Sequence, residues 1–298
     1  MDIIDKYLEE FNFTKEERPV IYNMFNVVKS ASNGRDIDEM SLEDFVEMFK
    51  RMNFKSTQSF LTVKSRFKAC VKWAVENNYM TEEQLEYIIK IKYEDIEDLE
   101  VIKNSYVSSL DELISIIDEP DPSGTGKYNT LKSSAFLCWY GIKPAEVVDV
   151  KKEDVHEDFI EFDGINYPVD DKRVKEFLKE YKELTSCITD FFGRETEMPY
   201  KDSEYLIRTF KNSHLTYKQL RASTSFLNKN VLEKEISLGK VRESGIFYRM
   251  YLDEKENGEF KPRQVERVSS FFRAEKNMTP QHISHKLKDY RRWKKAFY

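Results

Sequence analysis

Three cysteines in 298 residues, Cys70, Cys138 and Cys187, are too few and too scattered for a disulfide framework. Such a set is expected of reduced thiols in a cytosolic protein. Glycine and proline together number only 17, which argues against the many tight turns of a β-sandwich or barrel and favours helix. Only four histidines are present. His282 and His285 stand three apart with Asp289 nearby, but no cysteine cluster or third histidine joins them, so no metal site is expected. His156 and His214 lack a candidate Ser or Cys nucleophile partner. No apolar run approaches the roughly 20 residues of a membrane span. The opening Met-Asp-Ile-Ile-Asp shows no basic stretch leading into an apolar one, so no secretory signal is expected. These absences lead us to expect a soluble, cytoplasmic protein without cofactor or membrane partner.

A hydrophobic content of 40% and an aromatic content of 14% exclude a wholly disordered chain, and the length fits two domains. The formal charge of -6 is unevenly spread. Residues 1–199 carry 26 basic and 42 acidic side chains, whereas residues 200–298 carry 22 basic and 12 acidic ones. That asymmetry points to contact with a polyanion or to an acidic–basic contact between domains.

Helix signals dominate. Helices are expected over Asp2–Phe11 and Thr14–Lys29, the second with capping-box spacing at Thr14 and Glu17. Ser41 is the N-cap of a helix that runs to about Met52. From Ser56 to Asn78, Phe60, Val63, Phe67, Cys70 and Ala74 recur every three or four residues and form an apolar stripe. Lys64, Lys68 and Lys72 form a separate row along its flank. Between Met48 and Val75 there are seven Lys or Arg and no acid, a basic island. From Glu82 to Asp121 acids outnumber lysines 13 to three. A boundary near Asn104 divides the chain into 1–103 and 104–298.

In the second part, helices are expected at Leu110–Ile117, 130–142, 173–185, 203–212 and 217–229. Gly124-Thr125-Gly126-Lys127 invites a phosphate-loop reading. It fails because Asp121 stands where the first glycine belongs and Tyr128 where Ser or Thr would bind magnesium. Phe159–Val169 reads as a hairpin around Asp163-Gly164, the only convincing β signal. Thr279-Pro280 starts a basic, aromatic C-terminal helix. The expected fold class is therefore mainly α with a small β-hairpin, in two domains.

Two segments resemble the tyrosine recombinase (phage integrase) family. Tyr140-Gly141-Ile142-Lys143-Pro144-Ala145-Glu146-Val147-Val148-Asp149-Val150, followed by Glu153-Asp154-Val155, is similar to the family's T-G-x-R-x-x-E-L-x-x-L block and the D-(I/V) beyond it. Leu215-Thr216-Tyr217-Lys218-Gln219-Leu220-Arg221 is similar to its L-T-x-H-x-L-R. The Ser56–Asn78 helix looks like part of the family's helical core-binding domain. The resemblance spans roughly residues 40–255 and implies a two-domain architecture: a helical DNA-binding domain, then a catalytic-like domain with a basic C-terminal helix.

Strand cleavage in that family needs a tyrosine nucleophile, two arginines on the scissile phosphate, and Lys and His groups for proton transfer. Carried over residue by residue, Lys143 replaces the first arginine and Lys218 the histidine, while Arg221 matches the second arginine. The turn containing Asp163, Gly164 and Asn166 has no counterpart of the hairpin lysine. Arg242 is the nearest counterpart of a second His or Trp position. Tyr251 has suitable spacing for a nucleophile, and Tyr248 competes with it.

The departures imply lost chemistry with retained phosphate contact. No catalytic residue is expected; an active protein would use Arg221 and Tyr251. Double-stranded DNA is the expected partner, contacted by Lys64, Arg66, Lys68, Lys72, Lys143, Lys218, Arg221 and Arg242, with the protein then nucleoid-associated through that DNA. Arg291-Arg292-Trp293-Lys294-Lys295 suits either backbone contact or self-association through the C-terminal helix. The resulting expectation is a sequence-specific, non-catalytic phage or prophage transcriptional repressor. The alternatives are an active divergent recombinase and an interaction or integration accessory factor.

Overall fold

The computed structural model describes residues 2–11, 13–54, 56–118, 126–191, 194–230, 232–261, 264–276 and 278–298. The Pro120–Thr125 stretch of the expected loop, and with it Gly124 and Thr125, lies outside the described residues. The chain forms two compact units, residues 1–102 and 103–298. It is mainly helical, with two small antiparallel two-stranded sheets. Among the described residues, no helix is long and apolar enough to cross a membrane.

The first unit begins with α1 (Ile3–Glu10), α2 (Glu17–Ala31) and α3 (Leu42–Arg51), the last started by the reciprocal capping box of Ser41 and Asp44. Helix α4 (Thr57–Glu76) is capped by Ser56 and ends at Asn77, followed by Asn78 at φ +59°. It buries Phe60, Phe67, Cys70 and Ala74, the stripe visible in its periodicity. Short helices α5 (Glu82–Lys90) and α6 (Tyr93–Ile96) follow, and α7 (Leu99–Ser105) runs across the division between units. The core of this unit is aromatic. Phe49 meets Phe60 and Phe67 edge-to-face, with centroids 5.6 and 5.8 Å apart, a geometry that adds quadrupole attraction to area burial.

In the second unit, α8 (Leu110–Ile117) leads to α9 (Gly126–Tyr140), which is buried over nearly its whole circumference. The hairpin of β1 (Phe159–Phe162) and β2 (Ile165–Pro168) follows. Its two turn residues, Asp163 and Gly164, both have positive φ, as the tight primed turn requires. Then come α10 (Lys172–Glu183), a second hairpin of β3 (Ser186–Phe191) with β4 (Arg194–Pro199), and α11 (Tyr217–Asn230). Helix α12 (Leu238–Asn257) packs along α9. Their approach is set by Gly245, where a Cβ would lie 2.0 Å from the carbonyl oxygen of Trp139. The unit closes with α13 (Val265–Ser269), a 3-10 turn at Ser270–Phe272, and α14 (Pro280–Phe297), which has Thr279 as N-cap and proline in its first turn.

Three features depart from expectation. Residues 203–212 form no helix. The buried Arg208 guanidinium instead donates to the carbonyls of Tyr181, Lys182, Leu184 and Leu206, so it serves the open end of α10. Its charge faces the rings of Tyr181 and Tyr200 rather than a carboxylate. The β3–β4 hairpin is a second sheet, where one was expected. In β3, Cys187 and Thr189 are buried while Ile188 is 42% exposed, so apolar side chains do not mark one face. Helix α12 shows no amphipathic stripe because its buried residues (Leu238, Val241, Arg242, Ser244, Gly245, Phe247) encircle it.

Candidate nucleic-acid interface

In the first unit, the lysine row on α4 is divided in its use. Lys64 donates to the carbonyls of Ile89 and Ile91 at 3.0 and 2.6 Å, closing the C-terminal end of α5. Burial, helped by the neighbouring charge of Lys68, holds its pKa below the usual lysine range. Its charge is therefore committed to the fold, contrary to the reading of a free phosphate contact. Arg66 is half-buried. Lys68 and Lys72 are exposed, and Lys72 has only a loose 3.7 Å contact with Glu76. The open cationic surface on this helix thus centres on Lys68 and Lys72.

In the second unit, α11 starts at a capping box in which Thr216 and Gln219 bond reciprocally. Leu220, Thr224 and Leu227 face the core, which leaves Tyr217, Lys218 and Arg221 outward. Lys218 and Arg221 line a shallow groove with Tyr217, Ala222 and Ser225. One turn further on, Phe226 is 49% exposed, and the ammonium of Lys127 sits 4.3 Å from its ring centroid. Exposed cations interleaved with aromatic rings suit a surface that follows a nucleic-acid backbone.

A second cationic site is deeper. The C-terminal end of α9 supplies Tyr140 and Gly141, β2 supplies Asn166 and Tyr167, and α12 supplies Arg242 and Arg249. The 3-10 turn adds Phe271, and the residue after it adds Arg273. Together they line a cavity of about 230 Å³. Gly141 has φ +118° and lies against the Tyr167 ring, so a side chain there would be strained by the backbone conformation.

Each guanidinium in the cavity is anchored by a backbone carbonyl. Arg242 Nε donates to Gly141 at 2.7 Å, Arg249 Nη1 to Trp139 at 2.9 Å and Arg273 Nε to Ser270 at 3.1 Å. Arg242 also pairs with Glu275 at 3.0 Å. Among the described residues, Arg249 and Arg273 have no ion-pair partner. Burial pushes the Arg249 pKa down to about 10; Tyr140 and Asp170 oppose that fall, and Arg242 and Arg273 add to it. It therefore stays charged at neutral pH. The Tyr140 hydroxyl donates to Asp170 at 3.0 Å, and burial raises the pKa of both Tyr140 and Tyr167, which holds them as neutral phenols.

The residues singled out in the sequence are thus only partly brought together. Arg242 lies beside Gly141 of the first resembling block, whereas Arg221 and Lys218 line the separate α11 groove. Lys143 is half-exposed and bonded to Glu146 at 2.9 Å. Tyr251 does not line the arginine cavity. It stacks on Tyr298 with centroids 4.0 Å apart and meets Trp293 edge-on. Tyr248 lies against Trp139. Arg249 and Arg273 were not singled out, although Arg249 stands seven residues after Arg242, the spacing of one helix face.

The basic C-terminal helix is engaged within its own unit. Ile283, Leu287, Tyr290 and Trp293 are buried, Trp293 donates to the Val107 carbonyl, and Lys286 and Lys294 pair with Glu243 and Glu254. The apolar face of this helix is covered in this way, and Lys294 of the basic segment singled out for backbone contact or self-association is paired within the unit. His282 is exposed, and no group of metal-ligating side chains occurs among the described residues. His156 stacks on Phe159, while His214 stacks on Tyr205 and contacts Asp149.

The chain matches no family model and no curated protein sequence. Among solved structures it is similar to a lambda integrase dimer bound to a core site, with 13% identity and a TM-score of 0.39, covering 96% of this chain and 94% of that one. It is also similar to the Tn1549 transposon integrase in complex with circular intermediate DNA, with 13% identity and a TM-score of 0.42, covering 97% and 95%.

Proposed function

We propose that this protein binds double-stranded DNA through phosphate contacts without cleaving it, and that it acts as a transcriptional repressor of a phage or prophage. The observation that carries this reading is the convergence of Arg242, Arg249 and Arg273 on one cavity beside Gly141, whose lining tyrosines are held as phenols. Guanidinium forks match phosphate oxygens, and a partly dry cavity strengthens that attraction. The exposed Lys218 and Arg221 extend the contact along α11.

Phosphoryl transfer needs more than a grip. A nucleophile must reach the phosphorus, and the tyrosines that line the cavity, Tyr140 and Tyr167, are phenols whose pKa burial raises. Tyr251 is packed among Tyr298 and Trp293 and does not line the cavity. A protein that holds a DNA site without turnover blocks it, which is the physical content of repression.

The decisive experiment is incubation with nicked suicide substrates built on the recovered binding site. The expected result is retarded DNA in a gel-shift with no covalent adduct after denaturation. An adduct that disappears in Tyr251→Phe or Tyr248→Phe would establish a recombinase instead. Failure to bind any fragment at physiological salt would favour an accessory, protein-binding role.

A further inference from the structure

We propose that the arginine cavity takes a dianionic phosphate group, that of a phosphomonoester, in preference to the internal phosphodiester of a duplex. This uses the phosphate seat described above but does not require duplex DNA to be its partner.

The argument is one of charge and donor count. Three guanidiniums line the cavity, and Glu275 compensates only Arg242. Asp170 stands behind Tyr140, bonded to its hydroxyl, and does not line the cavity. Neither Arg249 nor Arg273 is ion-paired among the described residues, and although Asp170 offsets part of the Arg249 charge from outside the lining, the small space keeps a surplus of positive charge. An internal phosphodiester brings one negative charge, whereas a phosphomonoester brings roughly 1.5 to 2 at neutral pH, with a third strong acceptor oxygen.

The donors are also suitably placed. Each guanidinium has five N–H groups and spends one edge on a backbone carbonyl, which fixes its plane and leaves N–H groups for a ligand. The Asn166 amide adds a neutral polar group. Tyr167 and Phe271 give the cavity an aromatic wall, against which the organic part of a phosphomonoester can lie. The same phosphate chemistry has two sources: the phosphorylated end of a nucleic acid, and a free phosphorylated metabolite.

The test is calorimetric titration of the full chain with thymidine 5′-monophosphate and, separately, with its methyl ester, which carries one charge fewer. The monoester is expected to bind about tenfold more tightly or better, the worth of one charge-assisted bond. Arg273→Ala removes an exposed side chain and spares the core. It should cost the monoester about tenfold while moving the diester little. Arg249→Lys keeps the charge but loses the fork, and should weaken the monoester as well. Equal affinity for the two esters, no binding of either, or an unaffected Arg273→Ala variant would each overturn the proposal.

Competition then assigns the source. Displacement of the nucleotide by a 5′-phosphorylated duplex, but not by the same duplex with 5′-hydroxyl ends, supports a nucleic-acid end. Displacement by neither supports a free metabolite. Equal displacement by both would show that internal diesters suffice and would overturn the proposal. Duplex binding itself is read separately by gel-shift, so loss of the repressor reading and loss of this one remain distinct.

Discussion

Arg242 and Arg221 make different demands on the protein, and their variants should separate accordingly. Arg221 is exposed on α11, so Arg221→Ala is expected to leave the fold intact, weaken DNA binding and lower the salt slope by about one phosphate contact. A slope unchanged from wild type would remove α11 from the interface. Arg242 is buried and bonded to both Gly141 and Glu275, so its truncation strands a carboxylate and a carbonyl. Stability should therefore fall together with binding.

Glu243 offers a pH signature at the same scale. Burial opposes its ionisation but is outweighed by Lys240 and Lys286, which hold its pKa down to about 2. A carboxylate depressed in the folded state contributes stability above its unfolded pKa, and that contribution is lost as pH falls through the folded one. Thermal melts should decline between about pH 4.5 and pH 2, and Glu243→Gln should flatten that part of the profile. An unchanged profile in the variant would show that other carboxylates govern acid sensitivity.

Among elements, the α9–α12 contact is the most tightly specified. Gly245→Ala would drive a methyl group into the Trp139 carbonyl, and backbone cannot swing aside as a flexible side chain can. A loss of about 3 kcal/mol is expected, at the upper end of overpacking costs. Chemical denaturation measures it directly; a loss under 1 kcal/mol would mean that the two helices separate easily.

Elements with local start signals were legible in the sequence. Ser41, Ser56 and Thr279 cap the helices that they announce, because capping depends on residues three apart along the chain. The Asp163-Gly164 turn was legible for the same reason. Helix α12 was not, since burial all round erases the polar face that periodicity needs. The candidate site suffered most from that loss. Arg242 was picked by resemblance, but Arg249 and Arg273 join it only through the packing of α12 against α9 and the turn at Ser270–Phe272. Lys64 shows the converse, a surface lysine by pattern that is consumed by a helix end 25 residues away.

For the molecule as a whole, the charge asymmetry does not follow the domains. Residues 1–102 carry 14 basic and 21 acidic side chains, and residues 103–298 carry 34 and 33. Residues 103–199, with 12 basic and 21 acidic side chains, and the base-rich residues 200–298 belong to one unit, and some of their charges pair inside it. Lys234 meets Glu112, and Lys276 meets Asp163. Part of the basic charge is thus spent internally. DNA affinity should depend on open cations, Lys68, Lys72, Lys218, Arg221 and the arginine cavity among them, and be correspondingly sensitive to salt. Binding that persists undiminished from 50 to 200 mM salt would count against a phosphate-based interface.

Arg208 has a consequence for where motion can occur. A guanidinium that holds carbonyls from residues 181–184 together with Leu206 fastens the end of α10 to the irregular run that leads into α11. That run has little regular structure yet is not slack. Arg208→Lys replaces a five-donor fork with a point charge and should cost about 2 kcal/mol or more, leaving buried acceptors unmet. Amide exchange would then quicken along 201–216, and the α11 surface would lose the fixed base from which it is presented.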